Sequence, residues 1–237
     1  MHEFVEAFHF IARNGAVAGH PGLPSLVHLA LETLKVAAIG LVISLAIAFP
    51  LGIWLGHIHR GSFVAINTGN IGRALPSLAI LAIGDAFLGL GLPVVVLALV
   101  ILAVPPIITN AYLAVDGVDA DLVDAARGMG MSEWQILTRV ELPLAVPLIF
   151  VGISTAAVFV VSTTTIASLA GFSGSLGDII ANETSYHFSG VLGAAICVAA
   201  LALAVDGALT LVQLALTPQA LRTGRRGRWR SITPGTA

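Results

Sequence analysis

Long runs of apolar residues, separated by short polar stretches, dominate the chain. Five of these runs are long enough to cross a bilayer, since a membrane-spanning helix takes about 20 apolar residues. They cover residues 27–56, 74–90, 92–115, 144–170 and 190–216, and Pro105-Pro106 interrupts the third. The alternating pattern of a membrane β-barrel is absent from the sequence. The pattern therefore predicts an all-α integral membrane protein with about five transmembrane helices.

Composition supports this class. Hydrophobic residues make up 57% of the chain and charged residues 10%, whereas about 25% is usual in soluble domains. These values exclude disorder as well as an ordinary soluble fold. The single cysteine, Cys197, lies in an apolar run, so no intramolecular disulfide and no cysteine metal cluster is expected. The histidines, including His57 and His59, form no metal-ligand pattern, and we expect them at surface loop positions.

Three regions follow from the pattern: an N-terminal segment at 1–25, a membrane domain at 26–217 and a basic tail at 218–237. In the first, apolar and charged residues recur at helical spacing, which predicts an amphipathic helix on the outer surface. The apolar residues are Phe4, Phe8 and Ile11, and the charged ones are Glu3, Glu6 and Arg13. Gly-His-Pro-Gly-Leu-Pro at 19–24 should end this helix. The segment has none of the features of a cleaved signal peptide.

The arginines predict the orientation. The tail contains Arg222, Arg225, Arg226, Arg228 and Arg230, and such residues favour the cytoplasmic side. With five spans, the loop around Arg60 and the segment 116–143 are then cytoplasmic too. This places nine of the eleven basic residues inside: Arg60, Arg73, Arg127, Arg139 and the five tail arginines. An outer N-terminus and a cytoplasmic C-terminus follow.

The cytoplasmic segment 116–143 has the local chemistry of two short helices around a glycine turn. Asp121 is predicted to cap the first helix, and Gly128 and Gly130 allow the positive φ that ends it. Ser132 with Gln135 fits a capping box for the second helix, and Pro143 is expected to begin the next span. The expected apolar faces are Leu122, Ala125, Ala126 and Met129 on the first helix and Trp134, Leu137 and Val140 on the second. A rigid elbow of this kind is suited to transmit force to a partner.

The elbow resembles the loop with which bacterial ABC importer permeases dock on their ATPase. The matching residues, which we assign to ATPase coupling, are Asp124, Ala125, Ala126, Gly130, Val140, Leu142 and Pro143. Asp124 stands where Glu is commoner, and Val140 where Ile is commoner. Residues 26–216 also resemble permeases for osmoprotectants such as glycine betaine, carnitine, choline and proline, at 73–79, 105–112, 126–137, 163–171 and 174–178. Ser175 interrupts a loop that reads closer to Gly-Gly-Leu-Gly in that family.

The resemblance implies a type I ABC importer permease, multi-pass in a bacterial inner membrane. Its implied partners are a second permease, either a copy or a sister chain, two cytoplasmic ATPases and an extracellular or periplasmic solute-binding protein. ATP and Mg would bind to the ATPases, because this sequence contains no Gly-x-x-x-x-Gly-Lys-Ser/Thr loop. The chain is therefore expected to be non-catalytic and to hold no cofactor or metal.

Polar residues within the spans are candidates for the solute pathway, since ionisable groups in a membrane are often functional. The candidates are Asp206, Asn110, Tyr112 and Thr164. A carboxylate such as Asp206 could attract a quaternary ammonium group, pair with a residue across a dimer, or form a structural contact with a neighbouring helix. Glu32 and Lys35, three residues apart, are expected to form a local ion pair. Aromatic residues in the spans are scattered, so spacing alone assembles no cation-binding cage.

Two alternatives remain open at this stage. An ABC permease could transport another small nutrient, such as methionine. A secondary transporter would operate without ATP, and it predicts charged or discontinuous helices at midmembrane, often with inverted repeats. Only Asp206 and Pro105-Pro106 suit that class.

Overall fold

The computed structural model describes residues 2–13, 25–89 and 91–218. The breaker at 19–24 and the arginines of the tail lie outside these residues. All regular elements in the described part are helical. The α-helices are α1 (His2–Ala12), α2 (Leu26–His57), α3 (Ser62–Ala74), α4 (Ser77–Leu88), α5 (Leu92–Asp116), α6 (Ala120–Gly128), α7 (Glu133–Ile136), α8 (Leu142–Ile166), α9 (Gly177–Ala181) and α10 (Glu183–Leu216). A π-helical turn at Leu137–Glu141 precedes α8, and a 3₁₀ turn at Ala167–Ala170 follows it.

Four stretches of helix are long and apolar enough to cross a membrane: Leu26–His57, Leu92–Asp116, Glu133–Ala170 and Glu183–Leu216. A fifth span results if α3 and α4, which meet at a bend of 88°, are counted together. The predicted all-α membrane fold is confirmed. The last span begins at Glu183 rather than at 190, and its helix is broken at His187, where φ is 58°.

The second span differs from the prediction. It starts at Ser62 instead of 74. The prediction was wrong because α3 contains the polar residues Asn67, Thr68 and Asn70, which are typical of a loop. Leu75 is extended before Pro76, as a residue preceding proline prefers, and the bend lies there. Arg73, which was assigned to a cytoplasmic loop, belongs to this broken span.

A column of small residues lets α2 pack closely on α5. The column is Gly40, Ser44, Ala48, Gly52 and Gly56, one residue every four, and all are buried. A Cβ added at Gly52 would lie 2.7 Å from the Ala111 Cβ, and one at Gly56 would lie 2.8 Å from the Val115 Cβ. Such close helix approach through small residues is typical of membrane proteins. It makes α5 the central helix of the protomer.

Pro105, Pro106 and Pro143 lie within or at the start of long membrane helices. Pro105-Pro106 does not interrupt α5, which continues through both residues. Each proline lacks an N–H, so the carbonyls of Ile101 and Leu102 lose their helical donor, and membrane helices tolerate this because neighbouring groups can satisfy such carbonyls. Pro143 lies in the first turn of α8, as predicted, although the π-helical turn before it makes the helix continuous from Glu133 to Ala170. The wider π turn just before Pro143 gives its ring room beside the preceding turn.

The N-terminal helix forms as predicted but buries a different side. Ala7 and Phe10 are its buried residues, and they pack on α10. The rings of Phe10 and Tyr186 meet edge to face, with centroids 6.2 Å apart. Phe4 and Phe8 of the predicted apolar face stay exposed. The helix therefore has two apolar sides, one against the protomer and one free.

Candidate functional site

The elbow between α5 and α8 is the first part of the candidate site, and its local geometry follows from its caps. The carboxylate of Asp119 accepts from the Asp121 amide at 3.0 Å, so the N-cap of α6 lies two residues before the predicted one. Asp121 instead lies in the first turn, where the helix dipole favours an acid. The capping box of Ser132 and Gln135 is present, with both of its hydrogen bonds. The predicted helix, turn and helix are confirmed.

The glycine turn depends on Gly130, whose φ is +82°. An L-residue rarely adopts this conformation, so the turn selects glycine. A Cβ at Gly130 would meet no atom within 4 Å, so backbone conformation and not space sets the requirement. Gly128, by contrast, ends α6 in helical geometry and also has open space around it.

Only part of each predicted apolar face of the elbow is buried. Val123, Ala126 and Ile136 form a small core between α6 and α7, against which Val140 packs. Leu122, Ala125 and Met129 point outward, and Met129 is 75% exposed. Trp134 on α7 is 71% exposed, while Leu137 is buried. The elbow therefore presents apolar side chains to its surroundings, as a docking surface does.

A chain of charged groups connects both elbow helices to the end of α2. Arg127 donates to Asp124 at 3.0 Å and to Glu133 at 3.1 Å, and Glu133 raises the pKa of the Arg127 guanidinium. The Glu133 carboxylate lies 3.8 Å from His57 Nε2. His57 Nδ1 donates to Glu141 Oε2 at 2.7 Å. Asp124, the acidic residue of the docking pattern, is thus the outer end of this charge chain.

Sequence reasoning missed the inner end of the charge chain. Glu141 is 1% exposed and the His57 side chain 14%, so His57 is not a surface loop residue as predicted. A buried carboxylate without a partner is strongly destabilising, which explains why His57 lies against Glu141. The two residues are 84 positions apart, and no local pattern joins them. A second, exposed pair joins His59 to Asp116 at 2.9 Å, between the ends of α2 and α5.

Ser175, which interrupts the loop pattern of the osmoprotectant permeases, has a structural role. It lies on the side of the protomer opposite to the elbow. It is fully buried, lies 2.7 Å from the Ser168 hydroxyl and accepts from the Gly177 amide at 3.0 Å. The Asp178 carboxylate closes the same loop by accepting from Ser168 and from the Gly174 amide. The hydroxyl at Ser175 therefore holds a loop together and contacts no cavity described below.

Three cavities in the membrane domain form the second part of the candidate site. One of about 270 Å³ lies between α3, α5 and α8, where Thr109, Asn110 and Thr155 line it. A neighbouring cavity of about 260 Å³ is lined by Ser77, Ser162 and Thr163, among others. The third, about 480 Å³, lies between α8 and α10 and includes Asp206. Phe159 lines all three, and Thr155 lines the first and the third.

The four pathway candidates fall into two groups. Asn110 and Asp206 line cavities. Tyr112 and Thr164 are 3% and 0% exposed and line none of the three, and the Thr164 hydroxyl donates to the Val160 carbonyl within its own helix. The neighbouring Thr163 lines a cavity instead, a one-residue difference in helix phase that spacing alone did not resolve. The Glu32–Lys35 ion pair is confirmed at 2.8 Å.

Sequence comparison matches this chain to one large family. The model described as binding-protein-dependent transport system inner membrane component matches residues 40–217. A carnitine transport permease protein of Listeria monocytogenes is 39% identical over 83% of this chain and 90% of its own length. A glycine betaine/carnitine/choline transport system permease protein of Bacillus subtilis is 35% identical over 81% of this chain and 88% of its own.

Structural comparison finds the same architecture in solved transporters. An inward-facing structure of the MetNI methionine ABC transporter has a TM-score of 0.71 at 21% identity, and the match covers 86% of this chain and all of that one. A structure of an amino acid ABC transporter with histidines has a TM-score of 0.64 at 20% identity, over 90% of this chain and 98% of that one. At these identities the likeness concerns the fold alone.

Proposed function

The chain belongs to the family of binding-protein-dependent transport system inner membrane components, and from this premise we propose which solute it transports and how it is driven. It is a permease component of an ABC importer. Its cargo is a quaternary ammonium osmoprotectant: glycine betaine, carnitine or choline. The observation that supports this cargo is the named solute of relatives that are 39% and 35% identical over most of both chains. The methionine transporter shares only the fold, at 21% identity, so it gives no support to methionine as the solute.

The proposed energy source is a separate ATPase that docks on the elbow. The exposed Leu122, Met129 and Trp134 support this role, because they form an apolar surface on the elbow and because aromatic residues and methionine are enriched in protein interfaces. The chain of charged groups supports this role too, because it connects α6 to α2 through Arg127 and His57. A displacement of α6 would therefore be transmitted to α2. ATP and Mg stay on the ATPase, and this chain holds no cofactor.

The remaining partners follow from the same family. A second permease subunit completes the pathway, and a solute-binding protein delivers the cargo from outside. The chain lies in the inner membrane as a multi-pass protein. We place the elbow and the C-terminus in the cytoplasm, because the elbow has to meet a soluble ATPase and the tail is rich in arginine.

The docking proposal is tested by co-purification with the ATPase that is encoded with this chain. Met129→Asp puts a charge into the exposed apolar surface of α6, and we expect it to reduce ATPase recovery about tenfold or more. Ile58→Asp is the control, because Ile58 is also an exposed apolar residue but follows α2 outside the elbow and outside the spans. Equal recovery from both variants would refute docking at the elbow.

The cargo proposal is tested by uptake into proteoliposomes that contain the whole complex and its binding protein. We expect ATP-dependent uptake of labelled choline or glycine betaine, and none of methionine. Uptake of methionine alone would favour the other nutrient class. Uptake of either osmoprotectant without ATP would favour a secondary transporter.

A further inference from the structure

A polar stripe runs along one face of α10, within an otherwise apolar span. Asp206, Thr210 and Gln213 are four and three residues apart, so they lie on the same side of the helix. Within the described residues, none of these three side chains has a hydrogen bond or an ion pair. Polar groups in a bilayer cost free energy unless they are satisfied, and intramembrane acids face a cavity or a partner. The stripe therefore requires water, a ligand or a partner chain beside it.

The cavity between α8 and α10 provides that space. All three residues of the stripe line it, together with Phe150, Ser154 and Phe159 of α8. Its volume of about 480 Å³ lies within the range of small-molecule sites. Asp206 precedes Leu216, the last residue of α10, by ten positions. At the rise of an α-helix this is about 15 Å, which puts the carboxylate about halfway across the bilayer.

The lining of this cavity selects one charge type. It contains the Asp206 carboxylate and two aromatic rings, and no lysine or arginine is among its lining residues. A carboxylate within a membrane domain attracts a cation, and aromatic rings add cation–π attraction. A second carboxylate brought to the same place would be repelled. The chemistry fits an organic cation with a bulky, apolar surface.

We propose that the cavity around Asp206 is a binding site for the cationic head of the solute during its passage, and that it distinguishes cationic from zwitterionic osmoprotectants. The inference rests on the proposed function. Choline has a positive charge and no carboxylate, whereas glycine betaine has both. Asp206 therefore stabilises choline in the pathway and contributes little net attraction for glycine betaine. Phe159 lines this cavity and also the cavity beside Asn110, so it lies where the solute would pass from one cavity to the other.

The test compares two variants in the reconstituted complex with its ATPase and binding protein. Asp206→Asn removes the charge and keeps the shape. Asp85→Asn is the matched control, because Asp85 lies in α4 and lines none of the described cavities. We expect Asp206→Asn to lower the initial rate of choline uptake about tenfold and to leave glycine betaine uptake within about twofold of the parent. Asp206→Glu should keep most of the choline uptake.

Assembly of the complex, followed by size-exclusion chromatography, is the second measurement on the same samples. Equal loss of choline and glycine betaine uptake, or loss of assembly, would give Asp206 a structural role and overturn the proposal. Unchanged uptake of both solutes would overturn it as well. If the parent complex transports none of choline, glycine betaine and carnitine, the proposed function fails before the variants are compared, so the two failures are distinguishable.

Discussion

Removal of the His57 side chain tests whether the buried charge pair holds the elbow to the first span. In the variant His57→Ala, the Glu141 carboxylate stays buried, at 1% exposure, and loses the ring nitrogen at 2.7 Å. Loss of the donor leaves a buried acceptor without a hydrogen-bond partner, which costs about 1–3 kcal/mol and more for a charged group. Because Glu141 is almost fully buried, we expect the upper end, about 3 kcal/mol.

The matched control is His59→Ala on the same helix end. His59 pairs with Asp116 at a similar distance, 2.9 Å, but its side chain is 54% exposed. An exposed pair contributes about 0–1 kcal/mol, so the two substitutions differ in burial and in the Glu133 carboxylate that lies 3.8 Å from His57 Nε2. The assay is thermal unfolding of the purified complex in detergent. For a chain of this size, 3 kcal/mol corresponds to a fall in Tm of about 6–12 °C, against about 0–4 °C for the control.

The same pair is open to a double-mutant cycle with Glu141→Gln. Removing the charge of Glu141 should cancel most of the damage that His57→Ala causes, because no buried carboxylate is then left unpaired. A coupling energy of about 2 kcal/mol or more is expected. Equal, small effects of His57→Ala and His59→Ala, or additive effects in the cycle, would refute the assigned role of the buried pair.

Three further predictions concern the backbone and the outer loop. Gly130→Val forces a branched residue into φ +82° and should cost about 1–3 kcal/mol and reduce ATPase recovery, whereas Gly128→Val should leave recovery near the parent value. Gly52→Ala would put a Cβ 2.9 Å from a backbone oxygen of α5 and should lower Tm by several degrees, while Gly207→Ala, with open space around it, should not. Ser175→Ala removes two buried hydrogen bonds and should cost about 1–3 kcal/mol without altering the order in which solutes are transported, as uptake competition would measure. A change in that order would place Ser175 in the pathway.

The parts of the elbow that depend on neighbouring residues were predictable from sequence. The capping box of Ser132 and Gln135 and the positive φ of Gly130 each follow from residues within one turn. The cap of α6 was misplaced by two positions because Asp119 and Asp121 are both acceptable caps. Which side of each elbow helix is buried was not predictable, because Val123 and Leu122 are both apolar.

The parts that depend on distant residues were missed. The pairing of His57 with Glu141 spans 84 positions and has no local signature. The start of the second span was missed for another reason. Its first half, α3, contains Asn67, Thr68 and Asn70, yet it packs on α5 through Gly69 and Gly72. Asn110 and Asp206 were identified as candidates because a polar group in an apolar span is conspicuous in the sequence.

The central claim is that ATP hydrolysis on a separate subunit, transmitted through the elbow, drives osmoprotectant uptake. The most direct measurement is initial choline uptake in proteoliposomes of the complex, with ATP hydrolysis recorded in the same samples, for the parent and for Met129→Asp. The account predicts ATP-dependent uptake by the parent, and loss of both uptake and stimulated hydrolysis in the variant. Uptake that continues without ATP, or that is unchanged in Met129→Asp, would contradict it.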